Sequence, residues 1–414
     1  MRPCRDLRDL GDSRDGPVTI AVMEMMSDSG MEGARSPVMI PKLLTRLSHE
    51  AFDQKDAPDT LAACPKRLLI VTDAWRPQVN GVVRTLEMLE SELANLGVET
   101  KFITPEPFKT VGLPSYPEIR LSLTTPARLA ALIDGFQPDA VHIATEGTLG
   151  FLARMVCIRQ RRLFTTCYHT KYPEYIAARL PVPLAWSYAA LRQFHSAAAA
   201  TMVATPTLRE ELETHGFRNT LIWRRGIELT PFLQAERSSL GWPGPIFLFV
   251  GRVAVEKNIG AFLRLNLPGT KVVVGDGPAR PALQREFPDV VFLGRKSGSE
   301  LAQIYASADV FVFPSLTDTF GLVMLEALAA GTPVAAYPVT GPREVLGNSG
   351  CGVVASDLRH AALEALFIDR SACRTYASGF GIRESAVSFM SNICKALRRP
   401  DVFRPPVRSL IPAE

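Results

Sequence analysis

The sequence predicts an α/β protein of two doubly wound parallel-sheet domains, and three observations predict it. Short β-branched and apolar runs alternate with amphipathic stretches, and the alternation restarts after a turn-rich segment in mid-chain. The third is size and composition: 414 residues, 47% hydrophobic and 21% charged, suffice for two buried cores.

The first series opens at Leu68-Leu69-Ile70-Val71 and continues through Phe102-Ile103, Ala140-Val141-His142-Ile143, Phe164-Thr165-Thr166 and Met202-Val203-Ala204, with an amphipathic helix over Val82 to Leu96. Gly241-Trp242-Pro243-Gly244-Pro245 interrupts it. The second series runs through Ile246-Phe247-Leu248-Phe249-Val250, Val272-Val273-Val274, Val291-Phe292-Leu293, Val310-Phe311-Val312-Phe313 and Val334-Ala335-Ala336. The expected organisation is a poorly ordered extension over 1–65, domains over 66–240 and 241–380, a helix over 381–400 packing back on the first domain, and a tail over 401–414. The extension mixes Asp, Arg, Gly, Ser and Met without sustained period and lacks a cleavable signal pattern.

A net charge of +4 excludes the dense basic face of a sequence-reading nucleic-acid binder. The seven cysteines are odd in number, scattered and without CxxC spacing, which argues against a disulfide framework or a zinc site and for a reducing cytoplasm. No uncharged apolar run reaches eighteen residues, so membrane insertion is not expected.

In doubly wound sheets ligands sit beyond the carboxyl ends of the strands, so the loops there carry the chemistry. The first strand leads into Thr72 to Val82, where Gly81 opens a helix and lets backbone N–H groups approach a phosphate; an ordinary βα turn is the alternative. Neither GxxxxGK[ST] nor GxGxxG is present, which counts against a nucleoside triphosphatase or a dinucleotide oxidoreductase. Cys167 to Tyr175 is polar and aromatic, suiting a sugar or head-group site, and His169 there is a hydrogen-bond donor, a charge-sharing group or a structural histidine. The same choice is open at His142 and Glu146.

The second domain opens with Arg252 and Lys257, five residues apart beyond a buried strand, a pair of cations suited to a diphosphate. The richest segment is Phe313 to Val334: strand, acidic loop, helix, glycine stop and strand. Helical side chains lean toward the N-terminus, so Asp318 and Glu326 can face one ligand together with the N–H groups of Phe320, Gly321 and Leu322.

Asp318 and Glu326 with Phe320-Gly321, Gly251-Arg252, Lys257, the Asn80-Gly81 loop and Tyr168-His169-Thr170 closely resemble the retaining glycosyltransferases of family 4, over about residues 66 to 397. Within that family the chain is similar to lipid glycosyltransferases: sulfoquinovosyl- and glucuronosyl-diacylglycerol synthases, and mannosyltransferases acting on phosphatidylinositol or diacylglycerol. The resemblance implies a GT-B fold, two Rossmann-like domains facing across a cleft. One departure stands out: the first acid of the family's E-x7-E pair is here Asp318, one methylene shorter.

By the same resemblance, Arg252 and Lys257 neutralise the leaving diphosphate and Glu326 holds the ribose hydroxyls. Asp318 and the Phe320 to Leu322 backbone hold the donor sugar. Phe292 to Arg295, with Leu293 and Gly294, flank the base; Gly81 lets its loop close on the phosphate; His169 meets the sugar near its reacting carbon. The acceptor lies on the N-terminal domain. Catalysis then needs no enzymic nucleophile, metal or resident cofactor, the substrate being a UDP- or GDP-linked sugar. The implied partners are this nucleotide sugar, a lipid acceptor such as diacylglycerol, and an anionic membrane met peripherally on the inner face of the plasma membrane. Arg154, Arg159, Arg161, Arg162 and Lys171 form a cationic group on the acceptor side suited to that contact, a solvated helix face being the alternative. The donor expected is of UDP-glucose or UDP-glucuronate type. The rivals are a GDP-mannose-dependent α-mannosyltransferase, a UDP-sugar 2-epimerase and a non-catalytic sugar-nucleotide-binding protein.

Overall fold

The computed structural model describes residues 64–398, apart from 79, 114–115 and 178–181. The extension expected over 1–65, save its last two positions, the last two positions of 381–400 and the tail over 401–414 lie outside the described residues.

The strands are β1 (Arg67–Val71), β2 (Glu99–Ile103), β3 (Lys109–Leu113), β4 (Tyr116–Leu123), β5 (Ala140–Ile143), β6 (Phe164–Cys167), β7 (Ala200–Val203) and β8 (Thr220–Ile222), then β9 (Ile246–Val250), β10 (Thr270–Val274), β11 (Val291–Gly294), β12 (Val310–Phe313), β13 (Val334–Ala336) and β14 (Gly352–Val354). They build two parallel six-stranded sheets, ordered β2-β1-β5-β6-β7-β8 and β11-β10-β9-β12-β13-β14, plus the antiparallel hairpin β3-β4. Leu68 to Val71 and Phe247 to Leu248 are fully buried, because helices cover both faces of a parallel sheet and the strands read as unbroken apolar runs.

Each sheet reverses its winding once. In the first sheet the reversal falls between β1 and β5; in the second it falls between β9 and β12, paired at Phe247↔Val310 and Leu248↔Phe311. A crevice opens outside the carboxyl ends at such a point. The loops leaving β1 and β9 and the loop between β12 and the helix Leu322–Ala329 are therefore where a ligand meets the fold.

The chain passes between the two sheets twice. Ile227 forms a parallel bridge with Gly381, and a Cβ on Gly226 would stand 2.2 Å from the Gly381 carbonyl, so glycine is required at this crossing. Beyond it the helix Ile382–Leu397 lies against the first sheet, where Phe389, Met390 and Ile393 join Leu86, Leu89, Leu93 and Trp223 in one core. Trp223 Nε1 donates to the Ser385 carbonyl at 3.1 Å, and Asn392 Nδ2 donates to the Ile222 carbonyl at 2.9 Å.

One expectation is corrected here. Cys64 and Cys394 form a disulfide with Cα atoms 5.5 Å apart, fastening the approach to β1 to this last helix. The partners are 330 positions apart, a neighbourhood that spacing along the chain does not reveal. The inference of a reducing compartment rests on absent pairing and loses that premise. Cys157, Cys167, Cys351 and Cys373 are buried free thiols. No helix among the described residues is long and apolar enough to cross a membrane.

Candidate active site

Asn80 caps the helix Gly81–Asn95, its Oδ1 accepting from the N–H groups of Val82 and Val83 at 3.0 Å each. The helix start is thus partly satisfied by its own cap. Gly81 is the first helical residue, and a Cβ there would meet nothing within 4 Å, so the protein itself does not demand glycine. Asp73, nearly buried in the same loop, accepts from the N–H groups of Leu149 and Gly150 and the hydroxyls of Thr145 and Thr148, fixing the loop to the helix Thr148–Arg159. Burial pushes its carboxyl above the usual range despite these donors.

On the other side of the cleft, Lys257 lies in a short 3-10 turn, Val255–Lys257, and forms an ion pair with Asp318. Asn258 Nδ2 donates to the Pro314 carbonyl at 3.0 Å, so the loops leaving β9 and β12 are laced together. Arg252 Nε stands 3.9 Å from Glu256. Arg252 also lines a cavity of about 220 Å3 with Pro77, Gln78, Asn80, Asp276, Gly277 and Arg295. That cavity brings together the first domain's loop, a cation of the β9 loop and the segment after β11; of the residues given a site role from the sequence, only Arg252 and Arg295 are in its lining. Leu293 and Gly294 end β11, the Gly294 carbonyl accepting from Gly275 N–H at 2.8 Å.

Phe320 and Gly321 lead into the helix Leu322–Ala329. Gly321 caps it with φ 93°, the left-handed region, and a Cβ would stand 2.8 Å from Met324 Cε. Asp318 and Glu326 do not share a partner. Asp318 binds Lys257, whereas Glu326, only 2% exposed, takes Arg84 at 2.6 Å on Oε1 and the Tyr305 hydroxyl at 3.0 Å on Oε2. Burial, with the Glu326 charge second, holds the Tyr305 phenol well above its usual range.

The two domains also meet at Thr319, whose hydroxyl donates to the His169 carbonyl at 2.9 Å, and at Thr207, whose N–H donates to Glu344 at 2.9 Å. His169 follows β6 and is mostly buried. Burial, then the Arg225 charge, then His142, lower its pKa well below the ordinary histidine value. Of its sequence-level roles, this leaves hydrogen bonding and disfavours charge sharing. His142 is fully buried within β5, bonded through Nδ1 to the Thr165 hydroxyl at 2.8 Å, and reads as structural. Glu146 is enclosed too, 3.1 Å from His195 Nε2.

The cations expected to gather on an acceptor side are differently employed. Arg154 donates to the Phe194 and Gln193 carbonyls at 2.7 and 2.8 Å, Arg162 donates to the Pro138 carbonyl at 3.2 Å, and Lys171 pairs with Glu211 at 2.6 Å. Among the described residues, Arg159 and Arg161 of that group make no such fixed contact. The exposed feature nearby is apolar: Tyr172, Ile176, Leu184 and Trp186, the last 72% exposed. They stand on the packed helices Tyr172–Ala177 and Leu184–His195.

Sequence reasoning missed Arg84, Tyr305, Trp223 and Arg225, each of which acts on a site residue from an element far away in sequence. It also missed Asp276 and Gly277. A signal existed there in Gly275-Asp276-Gly277 at the end of β10, where a Cβ on Gly275 would stand 1.8 Å from the Gly251 carbonyl and one on Gly277 2.4 Å from that of Val253. Among the described residues no group of three or more His, Cys, Asp or Glu is placed to hold a metal ion.

Residues 79–230 match the family described as Glycosyltransferase Family 4, and residues 244–367 match that described as Glycosyl transferases group 1. The chain is 32% identical over 309 residues to a GDP-mannose-dependent alpha-mannosyltransferase of Mycobacterium tuberculosis, spanning 68% of this chain and 82% of that protein. It is 28% identical over 344 residues to the alpha-monoglucosyldiacylglycerol synthase of Streptococcus pneumoniae, spanning 72% and 78%. A solved structure of Anabaena Alr3699/HepE in complex with UDP-glucose superposes with a TM-score of 0.59 at 14% identity, over 80% of this chain and 99% of that one, which establishes a shared fold.

Proposed function

Because the chain belongs to glycosyltransferase family 4 and has the GT-B fold, we propose that it moves a hexosyl group from a nucleotide-diphosphate sugar to a membrane lipid such as diacylglycerol, with retained anomeric configuration and without a metal ion or resident cofactor. The observation that carries this reading is the cavity between the domains, where Arg252 and Arg295 face Gln78 and Asn80 across a space of about 220 Å3.

The reaction breaks the bond from the anomeric carbon to the departing phosphate and forms one to the acceptor oxygen on the same face. The acceptor proton passes to the leaving phosphate. No side chain has to act as nucleophile, and the barrier is lowered where negative charge builds up, on the diphosphate. Arg252 and Lys257 supply cations at that place, Lys257 oriented by Asp318. Phe320, Gly321 and Leu322 hold the sugar from the helix start, Glu326 reaches the ribose once Arg84 yields it, Leu293 and Gly294 border the base, and His169 donates a hydrogen bond to the sugar. A lipid acceptor fits the exposed apolar residues Tyr172, Ile176, Leu184 and Trp186 on the N-terminal half.

The donor is of UDP-glucose or UDP-glucuronate type on this reading. A second reading, GDP-mannose, is favoured by the 32% identity to the mycobacterial mannosyltransferase. Labelled UDP-glucose, UDP-glucuronate and GDP-mannose, each offered with and without diacylglycerol vesicles, separate the cases. Label appearing in lipid from one donor supports the proposal and names the sugar. Donor turnover without acceptor points to an epimerase, and no turnover of any donor overturns the assignment.

A further inference from the structure

Arg225 follows β8 and is 6% exposed, yet among the described residues no ion pair involves it. Its guanidinium lies 3.8 Å over the Trp223 ring, and Nη2 donates to Cys167 Sγ at 3.2 Å and faces His169 Nδ1 at 3.4 Å, while Nη1 is enclosed without a partner. Trp223 is itself pinned to Ser385, so the stack is rigid. Enclosing a cation without a carboxylate is costly, and Arg225 stands where the one imidazole at the mouth of β6 needs orienting.

We propose that Arg225 is a positioning residue: by donating to Nδ1 of His169 it fixes the imidazole as the Nε2–H tautomer, which presents its N–H to an oxygen of the sugar being transferred. This rests on the reading of His169 given above. The chemistry leaves little choice, because a guanidinium has donors only, so the ring nitrogen it meets must carry the lone pair. His169 Nε2 is then a donor, and it too is enclosed without a partner, the state of a group whose acceptor arrives with substrate. Among the described residues, the charged and titratable groups that act on this ring are Arg225 and His142 on β5; the Cys167 thiol meets the same guanidinium nitrogen, the Trp223 ring stands edge-on at 6.0 Å and the Thr319 hydroxyl sits on the His169 carbonyl. Burial first, and then the Arg225 charge, oppose protonation, so the ring stays neutral and its tautomer is the property left to control.

The test is long-range 1H–15N correlation on the full chain labelled at histidine, with His169→Gln assigning the signal. Expected for the native chain is an Nε2–H pattern that persists well below the ordinary histidine value near 6.5. Arg225→Ala is expected to give mixed tautomers and to move the titration of the ring up toward the ordinary histidine value, and Arg225→Lys to retain the native pattern. An Nδ1–H pattern in the native chain, or an unchanged spectrum in Arg225→Ala, overturns the proposal; the native spectrum alone decides if Arg225→Ala fails to fold. In kinetics, Arg225→Ala is expected to lower kcat about tenfold with little change in KM and to add an acid limb to the pH profile, which a merely structural role does not do. If the spectra behave as expected but His169→Gln transfers sugar as the native chain does, the tautomer assignment stands and the reading of His169 as a sugar contact fails.

Discussion

Arg84 and Glu326 meet across the cleft, Nη1 to Oε1 at 2.6 Å, on helices belonging to opposite domains. The carboxylate is buried, whereas the Arg84 side chain is 39% exposed. The acid assigned to the ribose therefore already has a partner, and donor binding has to displace or share it.

Arg84→Met is accordingly expected to have two opposed effects. It leaves Glu326 enclosed with only the Tyr305 hydroxyl, costing about 3 kcal/mol of stability, the low end for a broken buried pair because Arg84 is partly solvated. It also frees Glu326, so KM for the donor falls while Glu326→Gln raises it. Denaturant titration and donor saturation curves on the two variants check this; a higher donor KM in Arg84→Met would instead make Arg84 a donor contact.

Lys257→Ala is expected to lower kcat/KM by about 10²–10³, the loss seen when one donor to a developing anion is removed. Asp318 would remain without its cation, with its side chain 18% exposed but Oδ2 enclosed, so the fold should survive with a stability loss of about 1–3 kcal/mol. Single-turnover rates alongside melting curves separate the two effects. Unchanged transfer would remove Lys257 from the diphosphate.

Two glycines, Gly81 of the site and Gly341 packed against the Asp318 to Phe320 backbone, make contrasting tests. Gly81→Ala has open space around it and is expected to leave stability unchanged or raise it by up to about 1 kcal/mol, since alanine favours a helix. Any loss of activity then reports on the approach of the donor phosphate. Gly341→Ala places a Cβ 2.8 Å from the Phe320 carbonyl and 2.9 Å from that of Asp318, so it should destabilise by about 1–3 kcal/mol and disturb the donor loop. Melting temperatures and donor KM of both variants are the measurement.

These tests follow the line between what the sequence discloses and what it conceals. Both parallel sheets were legible because a strand covered on both faces must be a continuous apolar run, as Phe247 to Val250 and Val310 to Phe313 are. The loops were legible as well, since doubly wound topology puts ligands at strand ends. The hairpin β3-β4 was not: Lys109 to Leu123 alternates weakly and includes two exposed apolar residues, Val111 and Leu123, so no period marks it. Nor were the pairings. That Glu326 meets Arg84, that Cys64 meets Cys394 and that Arg225 meets His169 are facts of tertiary distance, which local pattern does not encode.

For membrane contact, the structure moves the weight from charge to apolar surface. Arg154, Arg162 and Lys171 are held by carbonyls or Glu211, while Trp186 and Leu184 stand in solvent. Trp186→Ser is expected to reduce co-sedimentation with phospholipid vesicles several-fold while leaving stability within about 0.5 kcal/mol, as for a surface change. If Arg159→Gln with Arg161→Gln reduces binding instead, and only to anionic vesicles at low salt, the electrostatic account is the right one.

Acid should unfold the protein through its histidines. Burial, with Arg225 adding to it, lowers the His142 pKa to about 3, and His169 is lowered well below the usual value for the same first two reasons. In the unfolded chain both bind a proton near pH 6.5. Below that pH the unfolded state therefore holds more protons than the folded one, and stability must fall as pH falls, beginning at 6.5 and continuing for His142 down to about 3. The slope approaches about 1.4 kcal/mol per pH unit for each histidine. Urea titrations between pH 7.5 and 5 measure it, and His142→Asn should remove close to half of the slope in that window. A slope that stays flat below pH 6.5 would mean that both rings are charged in the folded protein, beside an Arg225 guanidinium that has no ion pair among the described residues.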